Sequence, residues 1–298
     1  MRRYHYQDFP AARVAAAKRG RRVSVCLPAR DEAETIGPIV ETIHRELMVR
    51  HPVVDELVVI DDGSSDDTAA VAAAAGATVV TAAGVLPEYG TEHGKGQAMW
   101  RAVHVTTGDL VAFCDADIRQ FDPGFVLGLL GPLVTRDDVT FVKGYYDRPI
   151  EGRPGEGGRV TELMARPLIS VFFPDLAVFS QPLAGECAAR REVLEAIPFV
   201  GGYGVDLGLL IDISERFGIG GCAECDLGQR VHRNRPLAEL SGQALAVLQL
   251  GLSRAGVAAA VPAFGWTIGL LRPGADAVPV TFVERPALSE VPAHRKTA

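Results

Sequence analysis

The sequence predicts an α/β fold with a mostly parallel central sheet. Two observations carry this expectation. Short β-branched runs alternate with helical stretches through the first half, the rhythm of right-handed crossovers between parallel strands, and acidic or polar motifs follow three of those runs directly. The 298 residues, 48% of them hydrophobic, suffice for a substantial core.

The elements follow in order. Val23 to Leu27 reads as a strand, followed by a helical stretch from about Thr35 to Val49. Leu57 to Ile60 is the next strand, and the Asp61 to Thr68 segment after it holds several residues able to cap an alanine-rich helix. Thr78 to Thr81 is a third strand, a helix begins near Lys95, and Leu110 to Cys114 is a fourth strand. This half, 21–150, has the character of a nucleotide-binding unit and follows a short N-terminal extension, 1–20. The remainder, 151–298, is expected to complete the same domain. It opens with a Gly- and Pro-rich loop from Glu151 to Gly158. Helical stretches then cover Arg159 to Phe173 and Val205 to Phe217, a strand covers Gly221 to His232, and a further helix covers Leu237 to Leu252.

Charge and cysteine usage narrow the function classes. The formal charge of −7 disfavours nucleic acid and anionic membranes as partners, since either requires a basic face. Five irregularly spaced cysteines and the lack of a basic-then-apolar leader point to the cytoplasm. The apolar stretch from Ala255 to Leu271 contains Pro262 and is shorter than the roughly 20 residues of a membrane span. It reads as packing surface. Cys222 and Cys225 have C-x-x-C spacing, but a single pair falls short of the four ligands of a zinc site, so they read as buried small residues.

In open α/β sheets ligands bind at the carboxyl ends of strands, and the polar motifs fall there. Asp115-Ala116-Asp117 sets two carboxylates one residue apart, a spacing that allows both to reach one hard cation, Mg2+ or Mn2+. Asp61-Asp62-Gly63-Ser64 is either a turn and helix cap or a contact to a nucleoside, and Asp31 and Glu32 carry the same two readings. Gly94-Lys95-Gly96 places a lysine at a helix start, where the dipole and free N–H groups favour an anion such as a diphosphate. His232-Arg233-Asn234-Arg235 is either a surface turn or a cluster whose imidazole joins the metal and whose other side chains bind phosphate or carboxylate.

The segments Val25 to Glu32, Asp61 to Thr68 and Asp115 to Asp117 together resemble the A-type (GT-A) glycosyltransferases, whose fold is Rossmann-like. Gly157 to Leu163, Gln181 to Glu186, Gly202 to Asp206 and His232 to Leu237 are more specific: with them the chain resembles the glucosyl-3-phosphoglycerate synthase family of actinobacteria from about Arg21 to Leu252. The resemblance implies a GT-A fold with helical elements on the acceptor side. It implies a retaining transfer of glucose from UDP-glucose to the 2-hydroxyl of 3-phosphoglycerate, feeding methylglucose lipopolysaccharide or compatible-solute synthesis, by a homodimer. By the same resemblance Asp117 and His232 are the metal ligands, and Asp115 supports the ribose and metal shell. Pro28, Ala29, Glu32, Asp62, Lys95 and Ala116 then face the nucleotide. Tyr203 and Asp206 line the sugar pocket, and the Leu183 carbonyl lies near the reacting centre. Gly158, Arg159, Thr161, Asn234 and Arg235 hold the acceptor.

Two donor-side positions differ from the glucosyl pattern: Asp206 stands where glutamate is expected, and Asp62 where serine is expected. The related mannosyl-3-phosphoglycerate synthases, using GDP-mannose or GDP-glucose, are therefore the alternative. A non-catalytic sugar-nucleotide sensor and an inverting polyprenyl-phosphate sugar transferase share the first-half motifs. The sensor reading is opposed by the retained aspartates and Arg159, and the polyprenyl reading by the missing membrane span.

Overall fold

A computed structural model describes residues 1–148, 158–230, 237–257, 267–272 and 275–295. The elements in chain order are β1 (Arg2–His5), α1 (Ala11–Ala17), β2 (Val23–Ala29), α2 (Ala33–Ile43), β3 (Glu56–Asp61), α3 (Thr68–Ala74), β4 (Thr78–Thr81), α4 (Lys95–Val105), β5 (Leu110–Phe113) and α5 (Gly124–Thr135). They continue with β6 (Phe141–Asp147), α6 (Arg166–Phe172), β7 (Cys187–Arg190), α7 (Arg191–Glu195), β8 (Phe199–Val200), α8 (Val205–Phe217), β9 (Cys222–Gln229), α9 (Leu237–Arg254), β10 (Thr267–Arg272), β11 (Ala275–Thr281), β12 (Glu284–Arg285) and α10 (Pro292–Arg295).

Eight strands form one sheet in the order β1-β9-β6-β7-β5-β2-β3-β4. All neighbours are parallel except β7, which runs antiparallel between β5 and β6. The chain steps outward from β2 to β3 and β4, then returns to place β5 on the other side of β2. That reversal is the switch point at which open sheets form their crevice.

Because helices cover both faces, β3 from Leu57 to Ile60 and β5 are continuous apolar runs rather than alternating with polar residues. Val23, Val25 and Leu27 of β2 point into the cluster that includes α2 and α5. Phe113 of β5 and Phe141 of β6 point into the opposite cluster, with α4 and α8. In a strand, residues three apart face opposite sides. Cys222 and Cys225 accordingly lie buried in different clusters, which rules out joint ligation.

The predicted strands and helices of the first half are present with boundaries shifted by a residue or two. β1 is an addition: residues expected to be a mere extension pair in parallel with β9 and close the sheet edge. The N-cap residue of α3, Asp67, makes no side-chain cap bond; the Asp66 carboxylate before it accepts from the Thr68 N–H at 3.0 Å. From Val205 to Ile213, α8 is buried at every position. No helix among the described residues is long and apolar enough to cross a membrane.

The C-terminal segment straps α4 in place. β12 pairs with β8, the Gly201 N–H donates to the Val283 carbonyl at 2.6 Å, and the Trp100 indole donates to the Pro286 carbonyl at 2.8 Å. Gly96, in the first turn of α4, lies so close to β8 that an added Cβ would stand 1.9 Å from the Val200 carbonyl oxygen. Backbone cannot yield as a flexible side chain would, so Gly96→Ala should push α4 away from β8. The expected loss is about 1–3 kcal/mol, read as a lower midpoint in chemical denaturation.

Candidate active site

A cavity of about 660 Å3 opens at the carboxyl edge of the sheet. β2 delivers Pro28 and Ala29 to it, and the turn that follows delivers Asp31 and Glu32. Asp62 follows β3, Lys95 opens α4, and Asp115, Ala116 and Asp117 follow β5. The opposite wall carries Gly158, Arg159 and Thr161, with Leu183, Tyr203 and Asp206 between the two walls. Every site residue expected from sequence that falls within the described residues therefore lines this one cavity. His232, Asn234 and Arg235 lie outside the described residues.

Asp31 behaves as a loop tie. It adopts a left-handed backbone, φ 56°, and its carboxylate accepts from the Ser65 N–H at 2.7 Å and the Ser65 hydroxyl at 2.9 Å. This joins the turn after β2 to the turn after β3. Asp62 is buried and accepts from the Gly94 N–H at 2.6 Å, with His93 Nδ1 at 3.3 Å from its other oxygen. Burial raises its pKa, opposed by these two partners. Asp62 thus aligns the loop that leads into α4. Gly94 is needed there because its φ of 139° is closed to side-chain-bearing residues and its Cα side faces Gly202. Gln97 completes the contact by accepting from the Gly202 N–H at 2.9 Å.

At the centre is a chain of opposite charges. The Lys95 ammonium lies 2.7 Å from Asp115 and 3.5 Å from Asp206. The Arg230 guanidinium, just past β9 and 3% exposed, reaches Asp115 at 2.9 Å, Asp117 at 2.5 Å and Glu186 at 2.9 Å. Burial alone would raise the pKa of Asp115. Lys95 and Arg230 outweigh it and hold this carboxylate far below the usual range. For Lys95, burial works against the charge, while Asp115 and Asp206 prevail and raise its pKa. Glu186 is fully buried and shifts upward, with Arg230 opposing the shift. Its other oxygen accepts from the Tyr146 hydroxyl at 2.7 Å. Gly185 leaves room for this arrangement, since an added Cβ there would stand 2.3 Å from Asp115 and 2.4 Å from the Lys95 ammonium.

The fit to a divalent cation can be judged from Arg230. The two terminal nitrogens of its guanidinium contact Asp115 and Asp117 separately, so the two carboxylates face the same cation from neighbouring positions. Hard oxygen donors of this kind suit Mg2+ or Mn2+. The described residues alone form no set of three His, Cys, Asp or Glu around such an ion; His232, the expected third ligand, belongs to the segment outside them.

On the opposite wall the chain turns through Gly158, φ 82°, into a helix that passes through a π turn at Thr161–Ala165 before α6. The start of that helix presents Arg159 and the buried Thr161 to the cavity, where N–H groups and the guanidinium favour an anion.

Sequence reasoning missed Arg230, Glu186 as a charge partner, and Tyr146 and Arg148. Arg148 stacks on Tyr146 at 4.7 Å from the ring centroid, and Arg230 lies at 5.3 Å from the same ring. Arg230 had one available signal, an arginine at the end of an apolar strand two residues before His232. Glu186 had another, a carboxylate directly before the apolar run of β7.

Residues 24–195 match the profile of glycosyl transferase family 2. The glucosyl-3-phosphoglycerate synthase of Mycolicibacterium smegmatis is 50% identical over 254 residues, 84% of this chain and 83% of the relative. The crystal structure of glucosyl-3-phosphoglycerate synthase from Mycobacterium tuberculosis, in complex with Mn2+, UDP-glucose and phosphoglyceric acid, superposes with a TM-score of 0.86 at 41% identity, covering 97% of this chain and 98% of that one. Mannosyl-3-phosphoglycerate synthase from Rubrobacter xylanophilus superposes with a TM-score of 0.87 at 41% identity, covering 97% of each. With its strand-end motifs gathered around one cavity and this coverage by relatives, the chain belongs to glycosyl transferase family 2 and, within it, to the glucosyl-3-phosphoglycerate synthase family.

Proposed function

We infer that this chain transfers glucose from UDP-glucose to the 2-hydroxyl of 3-phosphoglycerate, with retention at the anomeric carbon, in the presence of Mg2+ or Mn2+. The observation that carries this reading is the union of Asp115, Asp117 and Lys95 with Arg159 and Thr161 in one cavity, in a chain that spans nearly all of a relative solved with Mn2+, UDP-glucose and phosphoglyceric acid. A cytoplasmic location fits the donor and the five free, buried cysteines.

Each part has a task that its chemistry suits. Asp117 and His232 hold the cation, with Asp115 beside them. When bound, the cation offsets the negative charge that builds on the departing diphosphate. Lys95, at the start of α4, adds a fixed positive charge on the same side and is itself oriented by Asp115 and Asp206. Asp62 and Glu32 face the nucleoside, and Tyr203 closes the sugar side. Arg159, Thr161 and Asn234, with Arg235, bind the acceptor's phosphate and carboxylate, supplying the local positive charge that a chain of net charge −7 requires. The Leu183 carbonyl and Asp206 flank the reacting centre. Asp206 sits between two ammonium groups, which hold its carboxylate in place to accept hydrogen bonds from sugar hydroxyls.

Three outcomes are expected. Purified protein with UDP-glucose, Mn2+ and 3-phosphoglycerate yields glucosyl-3-phosphoglycerate with an α-anomeric NMR signal, and GDP-mannose substitutes poorly. Turnover with no sugar nucleotide on 3-phosphoglycerate would refute the reading. Asp117→Ala lowers kcat by about a thousandfold or more, while circular dichroism and the thermal midpoint stay near those of the parent because the residue is a strand-end ligand outside the core. Arg159→Ala raises KM for 3-phosphoglycerate about tenfold or more and leaves KM for UDP-glucose within about twofold, as steady-state kinetics with each substrate varied will check.

A further inference from the structure

Lys143 lies in the middle of β6 and is fully buried. Burying an ammonium costs several kcal/mol unless it is well paired, so its surroundings should show what retains it. Its sheet neighbours in register are Cys187 on β7 and Glu224 on β9. Glu224 is engaged elsewhere: its carboxylate accepts from the Ser180 N–H and hydroxyl and pairs with Arg3 at 3.4 Å. Among the described residues, the only hydrogen bond of Lys143 goes to the Asp206 carbonyl oxygen at 3.4 Å, and its only ion pair is with Asp206 Oδ1 at 3.8 Å.

Asp206 occupies the first turn of α8. A helix N-terminus is positive, so a cation placed there is opposed by the dipole. Among the described residues, no other carboxylate forms an ion pair with Lys143. Asp206 is therefore the residue for which Lys143 is kept.

The carboxylate itself is unusual. Asp206 Oδ1 is buried yet receives no hydrogen bond among the described residues, although Lys95 stands 3.5 Å away on one side and Lys143 3.8 Å away on the other. Two cations thus flank Oδ1 outside hydrogen-bonding distance, and their attraction holds the carboxylate in place without occupying its lone pairs, in a residue that lines the cavity. Removing Lys143 would leave only Lys95, which is already shared with Asp115 at 2.7 Å.

We propose that Lys143 is a positioning residue: from within the sheet it fixes the first turn of α8 and the Asp206 carboxylate at the depth where that carboxylate accepts hydrogen bonds from the hydroxyls of the donor sugar. The assignment rests on the reading of Asp206 as a sugar-side group, and Lys143 itself touches no substrate.

The test is isothermal titration of the full chain with UDP and with UDP-glucose, each in the presence of Mn2+. For Lys143→Met, a change from ammonium to an apolar chain of similar length, the fold is expected to persist. UDP-glucose affinity should fall about tenfold, with UDP affinity within about twofold of the parent. Asp206→Asn should give the same divergence between the two ligands. Equal losses for both ligands in Lys143→Met, no loss for either, or unfolding of that variant would assign Lys143 a purely structural role and overturn the proposal. If Asp206→Asn shows the divergence and Lys143→Met does not, the sugar-side reading stands and Lys143 is excluded. If Asp206→Asn binds both ligands like the parent, the sugar-side reading itself fails.

Discussion

Asp115 is shared between two cations, Lys95 at 2.7 Å and Arg230 at 2.9 Å, and the carboxyl edge of the sheet is organised around that sharing. A partly buried carboxylate costs free energy unless opposite charge is held near it. Lys95 can be held there only because α4 begins at that residue, and Arg230 only because β9 ends beside β6. Arg230 in turn brings Asp117 and Glu186 onto one guanidinium. The result is a set of charges fixed in direction before any ligand arrives, the property that makes an electrostatic site effective without reorganisation.

The frame serves this cluster at places far apart in sequence. Gly185 provides room for the Lys95 and Asp115 pair, and Gln181 latches that loop to β6 by accepting from the Tyr146 N–H at 3.3 Å. The start of α4 is held from three sides: Asp62 on the preceding loop, Gln97 on the Gly202 turn, and the C-terminal strap through Pro286 and Val283. Arg285 of that strap also pairs with Glu92 at 2.5 Å, two residues before Gly94. This side of the cavity therefore depends on contacts that close only when the C-terminal segment has folded against α4 and β8.

Much of the first half was legible because its signals are local. Apolar runs such as Leu57 to Ile60, bounded by Asp61-Asp62-Gly63, leave little choice but a buried strand and a turn, and a glycine-flanked lysine before a helical stretch reads as a helix start. β1, β6 and β7 were not read, for different reasons. β1, with Arg2 and Arg3, has no strand-like pattern and is stabilised by pairing with β9, 221 residues away in the register Arg3 to Glu224. β6 carries Lys143 and Gly144 within it, and β7 is four residues of Cys-Ala-Ala-Arg with weak strand propensity that a central position in the sheet overrides.

The site divides in the same way. By itself the sequence determined which residue types end the strands, and hence that Asp115, Asp117, Lys95 and Arg159 lie at strand ends and helix starts, because these are set by nearby residues. Only the tertiary structure decided which charges meet. That Arg230 bridges Asp115, Asp117 and Glu186, that Asp31 is a loop tie while Asp62 aligns the approach to α4, and that Lys143 stands behind Asp206 all depend on strand order and register. Those are settled by packing two helical layers onto one sheet, and separation along the chain gives no hint of them.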